Sequence, residues 1–200
     1  MSVEARISSI WNKQKLLIAI AFIGIGAWFF YDGLVGWPAS NERWREHDRF
    51  VKEQKVKEWP AFAKSHGWVE EAPEKLHTRG DLIGQYVLGG LALTIGVILF
   101  TYWATQRRRV LRMDEEAVYT TSGTRVPFDD ITGVNKKKWE TKGIARVRYT
   151  QEGRNREFVV DDYKFETAPT RQILEEIEKR LAAPKTAGTD SGVQPTAKPE

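Results

Sequence analysis

The side chains that most often carry out catalysis are few in this chain, and their spacing matches no catalytic motif. Two pairs of adjacent acids, Asp129-Asp130 and Asp161-Asp162, follow β-prone segments, where turn capping explains them better than acid–base catalysis. The absence of cysteine excludes disulfides, thiolate metal sites and cysteine nucleophiles. We therefore expect a protein that is not an enzyme and that needs no cofactor or metal. The three histidines match no metal-ligand spacing: His47, His66 and His77.

The densest group of cations surrounds the sequence Lys136-Lys137-Lys138-Trp139. Such a group suits an anionic ligand, and each lysine near an anionic membrane leaflet would add about 1 kcal/mol of binding. The other interpretation is a solvated basic turn whose lysines keep the protein soluble and whose tryptophan packs in a core. The candidate lipid-binding or partner-binding residues are Lys136, Lys137, Lys138, Lys142, Arg146 and Arg148.

Bulk composition does not choose between these interpretations. The chain has 200 residues, a formal net charge of +4 and a pI of about 9.2. Mild basic character suits nucleic acid or an anionic membrane surface and selects neither. The apolar residues, however, are concentrated in two blocks, which favours a membrane partner, and we expect no nucleic-acid partner.

Both apolar blocks have the length of a transmembrane helix, which is about 20 residues. We predict spans at residues 16–37 and 82–104, after a basic leader at 1–15. A signal peptide is the alternative for the first block, but its apolar run is long, its far end is aromatic and an A-x-A cleavage signal is missing. The predicted membrane-interface residues are Trp28, Trp37, Trp103, Arg107, Arg108 and Arg109.

The charges next to the spans set the expected orientation. The polar segment between the spans, residues 38–81, holds nine Lys/Arg and nine Asp/Glu, whereas the three arginines at 107–109 directly follow the second span. Because basic residues next to a span favour the cytoplasmic side, we expect both termini in the cytoplasm. Small residues, including Gly26 and the pair Ala92-xxx-Gly96, would let the two spans pack as a hairpin or let two copies associate as a homo-oligomer.

The segment between the spans is predicted to be partly helical. Ser40 is a candidate N-cap for a helix over residues 43–58, and Trp59-Pro60 would end or kink that helix. Two interpretations remain open. One is a solvated connector whose tryptophans rest at the headgroup level, and the other is a surface on which a partner docks.

Residues 107–182 show alternation and turns typical of a small α+β domain. The pattern includes a half-buried strand at 144–150, a hairpin loop at 151–155 and a closing helix with apolar residues at Ile173, Ile177 and Leu181. The remaining residues, 183–200, are rich in Pro, Gly, Thr and Lys, a composition that predicts a disordered tail.

The stretches GTRVPFDDITGV, EGRN and TRQILEEIEKRL in this domain resemble the bacterial pleckstrin-homology-like domains, which are often tethered to paired membrane spans. The resemblance implies a PH-like barrel or sandwich closed by a C-terminal helix, and it carries no catalytic motif. It leads us to expect an integral protein of the bacterial cytoplasmic membrane. The expected function is a scaffold that binds protein partners at the cytoplasmic membrane face, and the alternative is a module that binds anionic lipid headgroups through a basic loop.

Overall fold

The computed structural model describes residues 2–183 of the chain. The chain divides into two compact units: a helical unit over Ser9–Arg108, and a β unit that combines residues 2–8 with residues 109–183. The predicted tail at 183–200 lies outside the described residues from position 184 onward. Each unit has a hydrophobic cluster of its own.

The helical unit begins with one unbroken helix from Ser9 to Lys52. Its parts α1 (Ser9–Tyr31) and α2 (Trp37–Lys52) are joined by a π-helical turn, Asp32–Gly36. The predicted helix start at Ser40 is therefore wrong. The helix continues beyond the apolar block. Pro38 has no backbone N–H to donate within the helix. The π-helical turn directly before it shifts the hydrogen-bond register, so the helix passes this residue unbroken.

Two further helices complete this unit, the short α3 (Trp59–Ser65) and the long α4 (Arg79–Gln106). The predicted helix over 43–58 ends at Lys52, so Trp59-Pro60 neither ends nor kinks it; Pro60 lies in the first turn of α3, where proline is tolerated. A capping box starts α4. Asp81 accepts a hydrogen bond from the Thr78 backbone N–H at 2.7 Å, and Thr78 Oγ1 accepts one from the Asp81 N–H at 3.2 Å.

Glycines allow α1 and α4 to pack closely as an antiparallel pair. A Cβ on Gly96 would lie 2.8 Å from the Ile23 backbone nitrogen, and one on Gly26 would lie 2.9 Å from the Leu93 nitrogen. Gly24 and Gly90 have no such neighbour within 4 Å. Gly26 and Gly96 therefore lie where the two helices contact each other, whereas Gly24 and Gly90 do not.

The segment between the two long helices is largely exposed, but it contains a buried aromatic cluster. Trp59 is 2% exposed and packs against Phe50, with ring centroids 5.9 Å apart, and Ala63 is fully buried beside them. Phe62 and Trp68 cover the cluster. Because the Trp59 ring is buried within the protein, it is not available to anchor this segment in lipid headgroups.

The β unit contains two antiparallel sheets and two helices. The first sheet has the strand order β1 (Val3–Arg6), β2 (Val110–Met113), β3 (Ala117–Tyr119) and β4 (Arg125–Pro127). The second sheet has the order β5 (Ile131–Lys138), β6 (Ile144–Gln151) and β7 (Arg154–Asp161). The short α5 (Trp139–Lys142) connects β5 to β6, and α6 (Thr167–Ala182) follows β7.

Strand alternation builds the core of the β unit, because every second side chain of a strand points to the same face. In β6 the alternating residues Ala145, Val147 and Tyr149 are buried, as the sequence predicts. The predicted helix residues Ile173 and Ile177 are fully buried on α6, while Leu181 is half-buried against the same core. The structure thus confirms an α+β unit with antiparallel strands and a C-terminal helix.

The first strand corrects the predicted domain boundaries. Residues 1–15 were expected to form a leader and residues 107–182 the whole domain. Instead, Val3–Arg6 pairs with Val110–Met113 in an antiparallel register, and Ser9 already begins α1. Beyond β1, Ile7 forms an isolated antiparallel bridge to Phe165. The apolar side chains of β1 are buried because the core of the β unit lies beneath them.

Candidate functional site

The outer face of the second sheet carries most of the predicted binding residues. Arg146 and Arg148 alternate with the buried residues of β6 and are exposed. Asn135 of β5 pairs with Arg146, and Gly133 pairs with Arg148, so each arginine has a small or polar neighbour across the strand pair. The missing side chain at Gly133 leaves room for Arg148, whose Nη2 lies 3.7 Å from the place a Cβ would occupy.

A shallow cavity of about 300 Å³ opens at one end of this face. It is lined by Asn135, Lys137, Lys138, Ile144, Arg146 and Glu157. Arg146 donates a hydrogen bond from Nη1 to Glu157 Oε1, which fixes the guanidinium above the sheet. Within residues 2–183, no ion pair involves Lys137 or Lys138, so both ammonium groups are available to a ligand.

A second cavity of about 590 Å³ adjoins the first, since Glu157 lines both. Its other lining residues are Thr132, Arg148, Asn155 and Arg156. Sequence reasoning missed Arg156 and Glu157, although two charged residues directly after the EGRN turn were a usable signal. We call the combined surface the basic face: Lys137, Lys138, Arg146, Arg148, Arg156 and Glu157.

Two of the six predicted binding residues lie outside the basic face. The Lys136 Nζ lies 3.0 Å from Glu178 Oε1 on α6, so this lysine joins the sheet to the helix. Lys142 is exposed in α5 and lines neither cavity. The predicted basic turn is therefore wrong, because the three lysines belong to β5 and the turn itself is α5 followed by Gly143, whose φ is 66°.

Charge distinguishes the basic face from the other large groove of the β unit. That groove, about 560 Å³ between α6 and the ends of β1 and β2, contains both charges, and its Glu176 accepts a hydrogen bond from Arg180 at 2.8 Å. The basic face has five cationic side chains and one carboxylate. An excess of cations on an exposed, strand-built surface can attract and orient an anionic partner.

The three histidines and Asp161 make contacts that stabilise the local structure. His47, His66 and His77 each lie against an aromatic ring, with the closest centroid distances 4.9, 4.1 and 4.2 Å to Trp59, Phe62 and Trp37 respectively. Asp161 accepts hydrogen bonds from the backbone N–H groups of Tyr163 and Lys164, which is the turn capping that the sequence suggested. Among the described residues, no group of three His, Cys, Asp or Glu side chains is placed to hold a metal ion.

The predicted interface residues belong to different environments. Trp28 is exposed, Trp37 stacks on His77, and Trp103 is buried and donates a hydrogen bond to Asn12. The arginines at 107–109 are all exposed, and Arg107 lies over the Trp103 ring. Within residues 2–183, two helices are long and apolar enough to cross a membrane: Ser9–Lys52 and Arg79–Gln106.

Comparisons of the chain with protein-family models, with curated proteins and with solved structures find no match.

Proposed function

We propose that this protein is a non-enzymatic, membrane-anchored scaffold. In this proposal α1 and α4 form the anchor, and the β unit is a PH-like domain that binds protein partners at the cytoplasmic face of a bacterial membrane. The observation that carries the binding function is the basic face, where Lys137, Lys138 and Arg148 have no ion-pair partner among residues 2–183.

The exposure of apolar side chains supports the membrane anchor. Leu17, Val87 and Ile98 are each more than 60% exposed. In the most apolar stretch of each long helix, only 17% and 22% respectively is buried. A helix in the core of a soluble protein is mostly buried, because apolar surface in water is unfavourable. The lipid tails of a bilayer would cover these surfaces.

Strand pairing supports an even number of membrane crossings. β1 directly precedes α1, and β2 follows α4, yet β1 and β2 are hydrogen-bonded neighbours. The helical unit must therefore begin and end on the same side of any membrane that α1 and α4 cross. Three exposed arginines after α4 favour the cytoplasm as that side.

Two antiparallel sheets with a buried helix face support the PH-like assignment, since the sequence resemblance implies strands closed by a C-terminal helix. A protein partner suits the basic face better than a single lipid headgroup. The face spreads over three strands, and Glu157, Thr132 and Asn155 add hydrogen-bonding groups between the cations. Such a mixed surface is complementary to an acidic protein segment that offers both carboxylates and donors.

Binding of an acidic polypeptide by the full chain tests this function. The chain is placed in nanodiscs of neutral phosphatidylcholine, and labelled poly-L-glutamate is titrated at several salt concentrations. We expect binding that weakens with salt, because exposed charges are screened within about 10 Å at 0.1 M. The triple variant Lys137→Gln, Arg146→Gln, Arg148→Gln should bind about tenfold more weakly, a loss of roughly 1.4 kcal/mol.

A matched variant controls for net charge. Arg125→Gln, Arg171→Gln, Lys179→Gln removes the same three charges from exposed positions outside the basic face. An equal loss in this control would contradict a specific site. Binding of phosphatidylglycerol vesicles without binding of poly-L-glutamate would replace the protein partner with anionic lipid.

A further inference from the structure

An aromatic contact lies at the end of the helical pair where α1 begins and α4 ends. The Trp103 indole N–H donates a hydrogen bond to Asn12 Oδ1 at 2.7 Å, and the rings of Trp11 and Tyr102 lie 6.3 Å apart. Trp11 and Trp103 are 4% and 7% exposed. These contacts hold the first turns of α1 beside the last turns of α4.

Two cations lie over the rings of this contact, and two more are close to them in sequence. The Lys15 Nζ lies 6.0 Å from the Trp11 ring centre, and the Arg107 Cζ lies 4.8 Å from the Trp103 ring centre. Lys13 and Arg108 are exposed nearby in sequence. Residues 9–15 and 101–108 contain no Asp or Glu, and within residues 2–183 none of these four cations forms an ion pair. This end of the pair therefore carries four uncompensated positive charges.

The opposite end of the pair carries acids as well as a cation. Asp32 lies in the π-helical turn, and Asp81 lies in the capping box that begins α4, beside the single cation Arg79. The contrast shows that the excess of cations is a property of one end and not of the whole helical unit.

Apolar surface lies next to the cations. Leu17 follows Lys15 on α1 and is 68% exposed, and Phe100 precedes Trp103 on α4 and is 42% exposed. A ligand that satisfies both surfaces must have an anionic head and an apolar body. An anionic phospholipid has both, whereas a peptide of acidic residues alone or free phosphate offers only the charge.

We propose that this end of the helical pair is a binding site for the headgroup of an anionic phospholipid. Lys15 and Arg107, each held on a tryptophan face, contact the phosphate, and Lys13 and Arg108 add positive charge around it. The acyl chains lie along the exposed apolar side chains of α1 and α4. Basic pockets between membrane helices are suited to such headgroups. This inference rests on the membrane anchorage in the proposed function and is independent of the basic face.

Native mass spectrometry of the full chain in neutral detergent tests this site. Dioleoyl phosphatidylglycerol or dioleoyl phosphatidylcholine is added, and lipid-bound protein is counted. We expect the wild-type chain to retain phosphatidylglycerol about tenfold better, because each cation near the headgroup contributes to binding. The quadruple variant Lys13→Gln, Lys15→Gln, Arg107→Gln, Arg108→Gln should lose this preference, and the double variant Lys15→Arg, Arg107→Lys should keep most of it.

A control variant carries the same charge change in the segment between the spans: Arg45→Gln, Lys57→Gln, Lys64→Gln and Lys75→Gln, all exposed. It should retain the wild-type preference. Equal retention of the two lipids by the wild-type chain would overturn the site, as would an equal loss in the control. Displacement of phosphatidylglycerol by millimolar inorganic phosphate would overturn the assignment to a lipid. Release of the chain from membranes by carbonate would contradict the anchorage itself, whereas a chain that stays in the pellet without lipid preference would contradict only this site.

Discussion

Asp114 shows at the scale of one residue how a short turn of the β unit is fixed. Its Oδ1 accepts hydrogen bonds from the backbone N–H groups of Glu116 and Ala117, both at 2.9 Å, between β2 and β3. The Glu116 N–H, followed by the Tyr119 hydroxyl and the Ala117 N–H, lowers the pKa of Asp114 below its ordinary value of 3.8. Hydrogen bonds to the ionised carboxylate favour that form.

The lowered pKa predicts a pH dependence of stability. Because the pKa is lower in the folded state, the ionised carboxylate stabilises the fold fully above the unfolded pKa, and this contribution is lost as the pH falls through the folded pKa. The variant Asp114→Asn should therefore show a smaller loss of stability below about pH 4. The thermal unfolding midpoint measured from pH 7 to pH 2 checks this. A curve parallel to wild type would contradict it, and Asp129→Asn, which changes an exposed acid, is the control.

Three adjacent lysines show what the sequence could and could not predict at this scale. Their residue type and density pointed to a surface for anions, and two of them do line a cavity. The sequence could not separate Lys136 from Lys137 and Lys138, because lysine disfavours strands and a loop was the natural expectation. Pairing of β5 with β6 overrides that local preference, and Lys136, which contacts Glu178, lies in the register shift between Asn135 and Lys138.

At the scale of elements, strand β1 is the largest difference between the predicted domain and the observed β unit. Four residues pair with β2, and Val3 and Ala5 are buried in the core of the β unit. The strand lies before α1 in sequence, far from the rest of its sheet, and its short VEAR pattern carries no local signal that could have identified it. The predicted helices were easier, since α4 follows from hydropathy and α6 from apolar spacing, both of which are local properties.

The pairing of β1 predicts that residues 109–183 alone form a weakened β unit. A protein in which residues 2–8 are joined to residue 109 by a short Gly/Ser linker should be more stable by about 2 kcal/mol or more, since burial of one valine side chain contributes about 1.5–3 kcal/mol. Urea unfolding of both proteins measures the difference. Equal midpoints would show that β1 is dispensable, and Val3→Asp in the linked protein should reproduce the loss.

The packing of α1 against α4 predicts opposite effects of two glycine substitutions in one helix. Gly96→Ala should lower stability by about 1–3 kcal/mol, the usual cost of overpacking, because its Cβ would lie 2.7 Å from Ile23 Cγ1. Gly90→Ala should be neutral or stabilising, since nothing lies within 4 Å and alanine favours a helix by up to about 1 kcal/mol. Melting temperatures of the full chain in mild detergent distinguish the two. Equal effects would contradict this close contact.

At the scale of the whole molecule, the strands that precede and follow the helical unit in sequence, β1 and β2, are hydrogen-bonded neighbours in one sheet. Hydropathy predicted the two long helices, and alternation predicted β6. The aromatic cluster around Trp59 was missed because tryptophans near a membrane segment are usually assigned to its interface. Only tertiary contacts show that this ring packs inside the protein.

Photo-cross-linking in intact membranes tests the central claim most directly. A photoreactive amino acid replaces Thr132, an exposed residue that lines the cavity beside Arg148. We expect a protein adduct that stays in the membrane pellet after carbonate washing and disappears when Arg146→Gln and Arg148→Gln are added. Adducts with lipid alone, a protein adduct that persists without the two arginines, or recovery of the chain in the soluble fraction would contradict it.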